Sequence, residues 1–131
     1  MLNCRFRNRR GYFNFMIFVI DDDEIMAECI KRACNKREVK IFSNAIEAME
    51  EISEGEIPKL IFLDILLDGP DGWTFLNEMV SYSDTAKIPI VIVSSLDFSG
   101  KDLSAYGVVG VLNKETMRPE EIFRYARKYV K

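Results

Sequence analysis

The stretch that most restricts the fold is KLIFLDILLDGPDG, residues 59–72. Its core, Leu60–Leu63, is apolar at every position and ends on one carboxylate, Asp64. A strand with one wet face alternates apolar and polar residues. An unbroken apolar run flanked by helical patterns instead belongs to a parallel sheet covered on both faces. In such sheets ligands collect beyond the carboxyl ends of the strands, where Asp64 stands. A lone Asp there is most simply a turn residue. Two further apolar runs, FMIFVI (15–20) and IPIVIVSS (88–95), end in Asp21-Asp22-Asp23 and in Ser94-Ser95, so the pattern occurs three times.

Between these runs the period changes. Met26, Cys29, Ile30 and Ala33 fall at i, i+3, i+4 and i+7 after Glu24, which predicts an amphipathic helix with Asp23 as its cap. EVKIF (38–42) is a short second strand. Ser43 or Asn44 caps the next helix, which runs through Ile46, Met49 and Ile52. After Asp71-Gly72, the residues Phe75, Leu76, Met79 and Val80 mark a third helix, and a short, weakly patterned helix is expected over 101–106. VVGVLN forms the fifth strand and ends at Lys114. Pro119, Glu120 and Glu121 then open a last helix, with Ile122, Tyr125, Ala126, Tyr129 and Val130 as its buried stripe. Alternating strands and helices without an internal repeat describe an α/β fold. The expected form is a doubly wound, five-stranded parallel sheet of flavodoxin-like topology with five helices.

Composition fits one domain: 131 residues, 48% hydrophobic, are enough for one core and too few for two. Residues 1–14 read as a basic, flexible extension and 15–131 as the single domain. The formal charge of −3 includes +4 from Arg5, Arg7, Arg9 and Arg10, which leaves −7 on the remainder. That acidic body argues against direct nucleic-acid binding. The apolar part of the opening stretch is short, contains Asn14 and lacks a cleavage site, so neither a signal peptide nor a membrane span is expected. Three cysteines, Cys4, Cys29 and Cys34, read as reduced thiols of a cytoplasmic protein, with Cys29 and Cys34 buried or idle.

The strand ends place Asp21, Asp22, Asp64, Ser94 and Lys114 around one crevice. Carboxylates this close resist ionising unless a cation lies among them, and a hard, oxygen-liganded divalent ion, Mg²⁺, is the natural occupant.

From residue 15 to 131 the chain resembles the receiver domain of two-component response regulators, through VIDDDE, LIFLDILLDGPDGW, PIVIVSS and VLNK in the family's order and spacing. The resemblance implies that Asp64 is the phosphoacceptor and that its donor is a phosphohistidine of a sensor histidine kinase or histidine phosphotransfer protein. It implies Mg²⁺ bound by Asp22, Asp64 and the backbone carbonyl of Leu66, with Asp21 acting through a metal-bound water. Lys114 and the Ser94 hydroxyl would take phosphoryl oxygens. The chain has no histidine, so any donor is another molecule. No output segment follows Lys131, so the response is expected to pass through binding to another protein.

Three departures from the family pattern bear on switching. Asp68, with Pro70 two places on, stands where a proline usually begins the turn. Glu115 replaces a proline that usually follows a cis bond, and since a cis bond before a non-proline residue costs ~2.5–4 kcal/mol, a trans bond is expected. Val111 occupies a usually aromatic position whose rotamer couples to the hydroxyl, leaving Phe98 and Tyr106 as candidate substitutes. Leu66 and Leu96 stand two places after the phosphoacceptor and two after the hydroxyl, positions that in the family flank the path of the hydrolytic water. Two rivals use the same crevice: a haloacid-dehalogenase-type phosphatase with Asp21 as nucleophile and Asp23 as acid, and a flavodoxin-like cofactor binder. A receiver-like binding module that is never phosphorylated is the third alternative.

Overall fold

The computed structural model describes residues 16–67, 71–98 and 100–131. The extension read over 1–14, Phe15 at the start of the first strand and the Asp68/Pro70 turn lie outside the described residues. The elements in order are β1 (Ile17–Ile20), α1 (Glu24–Ala33), β2 (Val39–Phe42), α2 (Ala45–Ser53), β3 (Leu60–Leu63), α3 (Gly72–Val80), β4 (Ile90–Ser94), a single 3₁₀ turn (Ser104–Tyr106), β5 (Val108–Asn113) and α4 (Pro119–Tyr129). The five strands form one parallel sheet in the order β2-β1-β3-β4-β5. Among the described residues no helix is long and apolar enough to cross a membrane.

The apolar runs are central strands for the reason their composition gives. Every residue of β1, β3 and β4 is buried, odd and even positions alike. Ile17, Val19, Leu60, Phe62, Val91 and Val93 face one layer, packed against Ala27 and Ile30 of α1 and Ile122 and Ala126 of α4. Phe18, Ile20, Ile61, Leu63, Ile90 and Ile92 face the other, under Ala48 and Ile52 of α2 and Phe75, Leu76 and Met79 of α3. A fully buried side chain of this size contributes about 1.5–3 kcal/mol, so this two-sided burial fixes the strand order and the strand ends together.

The helices start where the capping residues stand. Asp23 accepts hydrogen bonds from the N–H groups of Ile25 and Met26, Asn44 rather than Ser43 caps α2, and Asp71 caps α3. Glu121 accepts the Arg118 N–H at the start of α4, one residue before Pro119.

Two expectations are corrected. Among the described residues there are four α-helices, not five: those between β4 and β5 form only the 3₁₀ turn. Gly100 and Gly107 take left-handed backbone with φ of 76° and 80°, and the Asp102 carboxylate accepts the Ser104 N–H, so each competes with a short helix for the same backbone. In the helical stripes, Cys29 and Ile46 are exposed, and Ala27 and Ala45 take the buried places, because each stripe is rotated by part of a turn from the one that periodicity suggests.

Gly72 lies against the β3–α3 turn, its N–H donating to the carbonyl of Ile65 at 2.9 Å. A Cβ there would stand 2.6 Å from the Ile65 Cα and 2.8 Å from the Asp64 carbonyl oxygen, both backbone atoms that have no room to move. Gly72→Ala is expected to cost about 2 kcal/mol or more, read as a lower urea midpoint at unchanged slope. An unchanged midpoint contradicts the close approach.

Candidate functional site

Backbone hydrogen bonds carry the sheet one residue beyond its strands and so align the tips. The Asp21 N–H donates to the Phe42 carbonyl, that of Asp64 to Ile20 at 2.9 Å, and that of Lys114 to Ser94 at 3.0 Å. Asp21, Asp64 and Ser94 therefore sit at the carboxyl edge with 2%, 5% and 0% of their surface exposed, while Asp22 points to solvent. Lys114 crosses this edge. Its Nζ lies 3.1 Å from Asp64 Oδ2 and 3.1 Å from Asp21 Oδ2, and it donates to Asp21 Oδ1 at 3.3 Å. All five residues picked out in the sequence thus lie along one edge, four of them at consecutive strand ends.

Local turns hold the acids in place. The Asp23 N–H donates to Asp21 Oδ1 at 2.9 Å, and the Leu66 N–H folds back to Asp64 Oδ1 at 3.1 Å. The Leu96 N–H donates to the Ser94 hydroxyl oxygen at 3.1 Å, leaving that hydroxyl's own proton free for another acceptor. Asp23 is committed to its cap on α1, so the acid that the phosphatase rival needs is already spent on the helix.

Burial raises the Asp21 carboxyl above its usual range. The hydrogen bond from Asp23 and the Lys114 ammonium oppose that shift, and the Asp64 charge adds the smallest contribution to it. Mutual repulsion of the acids is therefore secondary to desolvation at Asp21. Burial pulls the Lys114 ammonium down, but its bonds and attraction to Asp21 and Asp64 outweigh this and hold it above its ordinary value. Because Asp21 is raised in the folded protein, its ionised form costs stability at neutral pH, and the cost vanishes below the ordinary carboxylate pKa near 3.8. Asp21→Asn is accordingly expected to raise the melting temperature at pH 7 in metal-free buffer, with the gain shrinking as pH falls through the Asp21 titration. A lower melting temperature at pH 7 contradicts that sign.

One oxygen each from Asp21, Asp22 and Asp64 lies within 4.8 Å of the others. Two buried carboxylates share one ammonium with the exposed Asp22 beside them, and the buried Asp21 Oδ2 has no hydrogen-bond partner among the described residues, its contact with Lys114 being electrostatic only. An all-oxygen donor set with an unsatisfied buried anion fits a hard divalent cation.

With this geometry, the comparison that decides the family is a match to the response regulator receiver domain over residues 17–127. The chain belongs to the response regulator receiver family. Over 92 residues, 68% of the chain, it is 26% identical to the sensor histidine kinase CheAY of Helicobacter pylori, and it spans 12% of that protein's length. In fold, this receiver is similar to the receiver domain of NtrX from Brucella abortus, with a TM-score of 0.73 at 23% identity over 87% of this chain and 97% of that one. It is similar also to the phosphorylated cyanobacterial phytochrome response regulator RcpA, with a TM-score of 0.68 at 23% identity over 88% and 91%.

The receiver's departures from the family pattern have structural counterparts. The Lys114–Glu115 bond is trans. Val111 stands opposite Ile92 and is 39% exposed. Phe98 and Tyr106 both pack on Trp73, with ring centroids 6.1 and 6.2 Å away. Trp73 and Gly72 were not picked out as site-shaping residues from the sequence. The Asp-Gly pair signalled a turn, but the contacts around it come only with the fold.

Proposed function

We propose that Asp64 is the phosphoacceptor of a two-component phosphorelay, phosphorylated by a sensor histidine kinase or a histidine phosphotransfer protein. The observation that carries this reading is the Lys114 ammonium held 3.1 Å from both Asp64 and Asp21 at the mouth of a three-carboxylate cluster. A carboxylate oxygen of Asp64 attacks phosphorus in line, the P–N bond to the donor imidazole breaks, and its electron pair leaves with the imidazole. Phosphoryl transfer needs little beyond positioning and charge neutralisation, and this edge supplies both.

Lys114 takes one phosphoryl oxygen while keeping its bond to Asp21. Ser94, whose oxygen already accepts the Leu96 N–H, turns its hydroxyl proton to another. Asp22, Asp64 and the Leu66 carbonyl would hold Mg²⁺, with Asp21 engaging it through water. Bound there, Mg²⁺ neutralises charge on the transferring group. Switching runs through a backbone shift of β4 and the segment that follows it rather than an aromatic rotamer at Val111, with Phe98 and Tyr106 sliding on Trp73. The protein is a cytoplasmic signalling module, residues 15–131, and not a turnover enzyme; it acts by binding an unidentified protein target without direct contact with nucleic acid or membrane.

The test is incubation with acetyl phosphate and intact-mass measurement. One phosphoryl group is expected with Mg²⁺ and none with excess EDTA. Equal labelling under both conditions contradicts the metal assignment, and absence of labelling under both supports the module that is never phosphorylated.

A further inference from the structure

We propose that the groove between α2 and α3, remote from the acidic crevice, is the docking site for the chain's own basic segment, residues 1–14. The groove has a volume of about 450 Å³. Met49, Ile52 and Met79 form its apolar floor, and Glu50, Glu78 and Asp84 are on its rim. The three acids are exposed, and no ion pair to a cation is found for them among the described residues. Tyr82, 57% exposed, stands beside them.

A second observation points to a cationic occupant. Each helix presents the negative end of its dipole at its C-terminus, where a Lys or Arg in the last turn is stabilising. Helix α1 has Lys31 and Arg32 there, and α4 has Arg127 and Lys128. Helices α2 and α3, the two that border the groove, have no basic residue in their last turns. Two uncompensated helix ends and three unpaired acids thus surround one apolar cleft, a site for arginines interleaved with apolar side chains.

Residues 1–14, MLNCRFRNRRGYFN, have that composition: Arg5, Arg7, Arg9 and Arg10 with no acid, and Phe6, Tyr12 and Phe13 among them. They join the domain at the right end. Met16 donates to the Glu38 carbonyl and accepts the Lys59 N–H, at the start of β1 and β3, which is the edge where the antiparallel-running α2 and α3 finish. Fourteen extended residues span ~46–50 Å, more than the roughly 30 Å width of a domain this size, so reach does not limit the contact. Covalent attachment also gives the segment a high local concentration.

The segment holds its own probe site. In the 131-residue chain carrying Cys29→Ser, Cys4 is left as the reactive thiol, since Cys34 is buried with its thiol pushed up to about 12. A nitroxide on Cys4 is expected to broaden the amide resonances of the C-terminal halves of α2 and α3 and to spare the strand-end crevice. The broadening should be lost in Glu50→Lys/Glu78→Lys, both exposed positions, and weakened at about 1 M salt, where the Debye length is ~3 Å. Broadening elsewhere, none at all, or the same pattern in the charge-reversed protein overturns the proposal. Broadening that appears on isotope-labelled, nitroxide-free protein mixed with nitroxide-carrying protein assigns the groove to a second copy, and overturns docking within one chain.

Discussion

Asp64→Asn is expected to abolish phosphoryl uptake from acetyl phosphate while leaving the fold intact. Asparagine has the shape of aspartate but no carboxylate oxygen to attack phosphorus, so the effect is complete loss rather than a slower rate. The fold should survive because Asp64 lies at a strand end. Its N–H bond to Ile20 belongs to the backbone, and the Leu66 N–H finds an amide oxygen in place of a carboxylate. Lys114 keeps Asp21 as a partner. Intact mass should show no adduct on Asp64→Asn, with a circular dichroism spectrum and urea midpoint close to those of the parent. A label retained by Asp64→Asn and lost from Asp21→Asn would move the nucleophile to Asp21 and revive the phosphatase rival.

The strands and the site were legible from the sequence for the same reason. Burial on both faces leaves β1, β3 and the first four residues of β4 apolar, so the first polar side chain of each run, Asp21, Asp64 or Ser94, marks the strand end. In a parallel sheet all such ends share one edge. What the sequence hid depends on side-chain packing and on competition within loops. The connection between β4 and β5 has enough residues for a helix, yet two left-handed glycines and the Asp102 turn win locally. Cys29 falls on a helical period but faces solvent, because the buried stripe of α1 is set by Ala27 and Ile30 against the sheet. Desolvation dominates the Asp21 titration, which proximity of carboxylates alone does not reveal. The role of Gly72 depends on how close the Ile65 backbone comes, a distance no motif encodes.

The second large effect concerns the lifetime of the phosphorylated state. Leu66 and Leu96 are each tied by their backbone N–H to the reacting groups, Leu66 to the Asp64 carboxylate and Leu96 to the Ser94 hydroxyl. Their side chains are 56% and 42% exposed, so they border the crevice on its solvent side, where a hydrolytic water must approach phosphorus. Neither leucine side chain can accept or donate a hydrogen bond, and a water beside them has no side-chain polar group to orient it for in-line attack. Positioning of this kind is worth large factors when it is well made, so its absence should leave the acyl phosphate long-lived. Because both side chains are already in water, polar replacements should carry little folding cost. Leu66→Asn combined with Leu96→Glu is expected to shorten the half-life of the phosphorylated protein by about tenfold, less than a fully buried catalytic group gives because two solvated side chains hold a water only loosely. The measurement is the decay of the phosphorylated mass after acetyl phosphate is removed. Decay of the parent within seconds, or equal decay of parent and double variant with both folded, would show that the lifetime is set elsewhere, with the two leucines serving only to cover the crevice.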